Sequence, residues 1–68
     1  MREGTIVRVN LEGGFGFLID AESREECFFH QRDLRGLEFD SQLQERFVWF
    51  DMEVSPRGPK ARHVRAAE

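Results

Sequence analysis

Five short runs that read as strands separated by turn chemistry, most of them rich in β-branched and aromatic residues, constrain this chain more than any other feature of its sequence. Thr5-Ile6-Val7-Arg8-Val9 reads as a first strand and Asn10 to Gly14 (NLEGG) as a turn. Phe15 to Asp20 is a second strand, Ala21 to Arg24 a hairpin loop, and Glu26 to Gln31 a third strand. Arg32 to Leu43 breaks the rhythm. Leu34, Leu37, Phe39 and Leu43 fall irregularly around Gly36, which predicts one helical turn near Asp33 and then a long loop. Phe47 to Val54 is the longest strand candidate, stopped by Ser55-Pro56-Arg57-Gly58-Pro59, and Ala61 to Ala66 supplies the fifth. Five strands and almost no helix in 68 residues favour an all-β chain closed into a five-stranded antiparallel barrel, because closure removes exposed edges and lets a small core cover itself. No repeat divides the chain, and residues 1–68 are read as a single domain.

Period-two alternation assigns faces within these strands. Phe15 and Phe17 share one face, Gly16 and Leu18 the other; Phe28 and His30 lie opposite Cys27 and Phe29. In the fourth strand Val48, Phe50 and Met52 stand together, with Phe47, Trp49, Asp51 and Glu53 facing away. Cys27/Phe29 and Val48/Phe50/Met52 are wholly apolar and are expected inside, whereas a set that contains His30 is expected to meet water. Pairing strands two and three as a hairpin then brings Phe15, Phe17, Phe28 and His30 into one exposed patch. Exposed rings on a sheet form a stacking platform for unpaired bases, each stack worth about 1–3 kcal/mol and nearly indifferent to base identity. Glycine between coplanar rings is expected to let a ligand backbone approach closely.

The composition narrows the remaining choices. Residues 1–55 hold six Lys/Arg against twelve Asp/Glu, while residues 56–68 hold four against one, so the body is −6 and the tail +3. Such acidity argues against strong nonspecific nucleic-acid binding and leaves a local basic strip, with Arg8, Arg57, Lys60 and Arg62 the cations expected near phosphate. The lone Cys27 has no internal disulfide partner, which suits a reducing compartment and predicts a cytoplasmic location. No apolar run approaches the ~18 residues of a membrane span, so no membrane partner is expected. Cys27 and His30 are three apart and point to opposite faces of a strand, so no metal site is expected. No nucleophile stands beside a base, and GGFGF lacks the Lys-Ser/Thr ending of a phosphate loop and leads into a strand. Neither an enzyme, a small-molecule substrate nor a cofactor is indicated, and Glu22, Glu25, Glu26 and Asp33 read as solvated hairpin and cap residues.

The segments GGFGFL and CFFHQ resemble the paired ribonucleoprotein motifs of the bacterial cold-shock domain, and the likeness runs from Gly4 to Val64. GTIVRVN is similar to that family's first strand, and RGPKARHV to its Gly-Pro turn and last strand. The resemblance implies an oligonucleotide-binding (OB-fold) barrel that binds single-stranded DNA or RNA and loosens RNA structure without ATP, as an RNA chaperone or regulator of gene expression. By motif it implies ligand contacts at Phe15, Phe17, Phe28 and His30, with Asn10 and Arg57 as weaker candidates, and Phe39 in EFDSQL is similar to the family's loop aromatic.

Four positions depart from that family's pattern. Arg8 stands where a stacking Trp is usual and Val9 where an aromatic follows it; Gly13 replaces a basic residue and Gln31 an aromatic. A guanidinium can stack on a base or pair with phosphate, so Arg8 is a substitute contact. Loss of two stacks lowers affinity by about two orders of magnitude, which predicts micromolar binding. Phe47 and Trp49 are not accounted for by the resemblance. They are either covered by the long loop through Leu37 and Phe39, or form a protein interface for a second copy or a larger parent protein.

Overall fold

The computed structural model describes residues Met1–Ala67. Five strands, β1 (Arg2–Asn10), β2 (Phe15–Asp20), β3 (Glu26–His30), β4 (Phe47–Ser55) and β5 (Gly58–Ala66), close into a barrel in the order β1-β2-β3-β5-β4. Neighbours are antiparallel except β3 and β5, which run parallel and meet at Phe28 and Lys60. The interior holds Ile6, Leu18, Cys27, Phe29, Leu43, Val48, Phe50, Ala61 and Val64, with Met52 half-buried against them. These include the apolar sets that alternation sends inward. Burial, and after it the charges of Asp20 and Glu25, pushes the Cys27 thiol up to about 11, so it packs as a small hydrophobe and is not a nucleophile.

Strand ends differ from the sequence reading where polar or turn-forming residues join the sheet. β1 begins at Arg2 because the buried carboxylate of Asp20 holds the Arg2 guanidinium. A Cβ on Gly4 would stand 2.6 Å from the Ile19 carbonyl oxygen, so only glycine lets β1 pass β2 this closely. β5 begins at Gly58, because the hairpin turns on Pro56 and Arg57 alone while Ser55 pairs with Gly58. β3 ends at His30, and Gln31 opens a 3₁₀ turn (Gln31–Asp33). A second 3₁₀ turn (Ser41–Leu43), absent from the sequence reading, is capped by Asp40, whose Oδ1 accepts from Gln42 N at 2.9 Å, and it delivers Leu43 to the core.

Two bulges break the period-two rule. In β1 the register steps from Ile6 opposite Leu18 to Arg8 opposite Phe17, leaving Val7 as the extra residue. Ile6 is therefore inside the barrel while Arg8, two residues on, stands on the outer face. In β5, Arg65 and Arg62 pair with Trp49 and Asp51, and His63 takes a left-handed φ of 55° in between. Ala61 and Val64, three apart, thus both reach the core.

Candidate nucleic-acid interface

β2 and β3 pair with Phe17 opposite Phe28 and Phe15 opposite His30, so the outward residues of both strands form one patch. The ring centres of Phe15, Phe17 and Phe28 lie 5.6 to 6.0 Å apart. Phe15 and Phe28 are inclined by 30°, while Phe17 stands at 87° and 71° to them. The expectation of coplanar rings is corrected accordingly: Phe17 meets its neighbours edge to face, the arrangement favoured by the ring quadrupole.

The glycines of GGFGF serve the fold. Gly14 takes φ +74° to turn the chain, its N–H donating to the Asn10 carbonyl at 2.9 Å. Gly16 faces inward, where a Cβ would lie 2.6 Å from the Arg8 carbonyl oxygen and 2.7 Å from the Phe29 ring. It makes room for the core Phe29, which corrects the reading of a gap left for ligand. A Cβ on Gly13 would stand 2.5 Å from the Phe15 ring, so the missing side chain there leaves the space that Phe15 occupies.

Each flanking polar residue has a definite setting. Arg8 holds its guanidinium carbon 4.6 Å from the centre of Phe17 and pairs with Glu26 at 3.0 Å. Glu26 is thus an ion-pair partner as well as an exposed hairpin residue. Asn10 uses its Oδ1 to accept from Gly13 N at 2.7 Å, which fixes the β1–β2 turn. His30 accepts from Arg32 N at Nδ1 (3.1 Å), and its backbone N–H donates to Asp33 Oδ2 (2.9 Å). Arg57 and Lys60 line a hollow with Phe17, Phe28 and Pro59, and among the described residues neither forms an ion pair.

Other assignments change. Arg62 is not free for phosphate, because it bridges Asp33 (3.2 Å) and Glu53 (3.1 Å). Asp33 is buried, not solvated, and ties His30 to Arg62. The spacing His30-Gln31-Arg32-Asp33 has the form of a capping box and was its only sequence signal. Phe39 is half-buried against the core and is not brought into the three-ring cluster. Gln44, which alternation does not reach, lines a second hollow with Arg8, Asn10, Phe15 and Phe17. Trp49 lies off this patch, in a shallow cleft with Arg2, Glu3 and Ala21, while Phe47 is 63% exposed.

Residues 2–67 match the family described as the 'Cold-shock' DNA-binding domain. The chain is similar to "Probable cold shock protein A" of Mycobacterium tuberculosis, at 33% identity over 66 residues covering 97% of this chain and 98% of that protein. It is also similar to "Cold shock protein CspC" of Bacillus subtilis, at 36% identity over 67 residues covering 98% and 100%. Among solved structures, drosophila Unr CSD456 superposes with a TM-score of 0.76 at 25% identity, covering 98% of this chain and 26% of that one. Barrel, paired motifs and full-length coverage agree: the chain belongs to the cold-shock domain family, whose members are nucleic-acid-binding domains and not enzymes.

Proposed function

We propose that this chain binds short single strands of RNA or DNA with micromolar affinity, as a cytoplasmic RNA chaperone or regulator of gene expression. The observation that carries this reading is the three-ring cluster of Phe15, Phe17 and Phe28 on the outer face of β2 and β3, with Arg57 and Lys60 beside it. Rings supply stacking that tolerates any base, and two nearby cations supply phosphate contacts. Affinity stays modest because Gly13 and Gln31 add neither a ring nor a charge to that face, while Val9, opposite the inward Gly16, packs against the core. Titration of a labelled pyrimidine heptamer at low salt tests it: a Kd in the micromolar range is expected, and no binding at ~1 mM ends the reading. One observation favours a second reading, a protein-interaction module: the 63% exposure of Phe47 beside the outward Trp49. Sedimentation at rising concentration decides it, since self-association abolished by Trp49→Ala supports an interface and a strict monomer opposes a homodimer.

A further inference from the structure

Arg8 does more than replace a ring. It stands on β1 and Glu26 on β3, the two strands that flank β2, so their ion pair spans the outer face of β2 beside Phe17. The guanidinium at 4.6 Å lies over the ring face itself, where a base would otherwise stack. We propose that the Arg8–Glu26 pair is a clasp that covers one face of Phe17 in the free protein, so that nucleic acid gains this stack only by displacing the guanidinium, and that the clasp thereby sets affinity and salt response. The proposal rests on the single-strand-binding reading above.

The magnitudes make such a clasp workable. A cation over an exposed ring and an exposed ion pair are each no stronger than one base stack, so the clasp opens under a ligand and still lowers its affinity by about three- to tenfold. Once displaced, the guanidinium can meet phosphate, but the exposed Glu26 carboxylate competes for it. Arg8 therefore adds little to the salt dependence of binding while Glu26 is present, because it exchanges one anion for another.

The test uses the intact chain and three variants, Glu26→Gln, Arg8→Gln and the double substitution, titrated with a pyrimidine heptamer at several salt concentrations. Glu26 is exposed, so glutamine of nearly equal size leaves the barrel undisturbed. Glu26→Gln is expected to tighten binding about three- to tenfold and to steepen the log–log salt slope by about 0.7, both gains vanishing in the Arg8→Gln background. An equal gain in both backgrounds reduces the effect to loss of a negative charge and overturns the clasp. Unchanged or weaker binding by Glu26→Gln makes the held guanidinium itself the contact surface and overturns it too. Either result leaves single-strand binding intact, whereas no binding by all four proteins at ~1 mM ends both. In the unmodified chain, the Arg8 δ-methylene protons are expected to carry an upfield ring-current shift that the heptamer removes; retention of that shift at saturation also overturns the clasp.

Discussion

At Gly16 the place of a Cβ is already taken from two sides, by the Arg8 carbonyl oxygen and by the Phe29 ring. Gly16→Ala is therefore expected to cost about 2–3 kcal/mol in urea unfolding through overpacking. Alternation in the sequence reveals which face Gly16 occupies, but not that a phenylalanine from β3 fills the space above it. Asp20 presents the other kind of buried residue. Burial pushes its carboxyl upward, but the Arg2 hydrogen bond and the backbone N–H groups of Ser23 and Glu22 more than offset this, so its pKa lies below the ordinary value. A group lowered on folding stabilises the fold above its unfolded pKa of about 3.9 and loses that contribution as pH falls through its folded value. Asp20→Asn is expected to cost about 1–3 kcal/mol at pH 7 and to flatten the decline of stability below about pH 4, as followed by thermal melts across pH. In the sequence Asp20 is a strand-end carboxylate like several others; its partner lies eighteen positions away, across the β1–β2 pair.

Among the elements, β2 and β3 were legible because both keep strict alternation over their length and pair without interruption from Phe15 to Ile19. β1 and β5 were less so, because a bulge reverses the parity of everything beyond it and neither bulge carries the glycine that would advertise it. The left-handed position in β5 is filled by His63, whose Nδ1 lies 2.9 Å from Asp51 Oδ2; that hydrogen bond holds the Asp51 carboxyl below its ordinary value. Between the second 3₁₀ turn and β4, Glu45 adopts φ 69° with an exposed side chain, while its N–H donates to the Ile6 carbonyl. A side chain in that conformation costs free energy that glycine does not. Glu45→Gly is expected to raise stability by about 0.5–1 kcal/mol, read as a thermal midpoint higher by several degrees. An unchanged or lower midpoint would show that glycine's greater freedom in the unfolded chain cancels the relief.

For the molecule as a whole, the acidic body and basic tail of the sequence resolve into finer pairings. Arg2 and Arg62 hold buried carboxylates and Arg8 holds Glu26, so among the described residues Arg57, Lys60 and Arg32 remain as cations lining the hollows beside the rings. Charge counting points to Arg8, Arg57, Lys60 and Arg62, but which of these cations are committed depends on strand neighbours that only the closed barrel defines. Trp49 offers a spatial test of this layout, because it lies in a cleft apart from the three hollows that border the rings. A heptamer is expected to shift the amides of Phe15, Phe17, Phe28 and His30 and to leave Trp49 fluorescence nearly unquenched; strong quenching would move the ligand to the β4 face. The barrel's parallel seam, where β3 meets β5 at Phe28 and Lys60 with a further bridge from Leu34 to Val64, borders that same patch. On the proposed function, a nucleic-acid strand laid across Phe28 and Lys60 would act as a staple on the closure itself: occupancy and folding would be thermodynamically linked, and the amides along this seam are the ones whose exchange with solvent such a ligand should slow most.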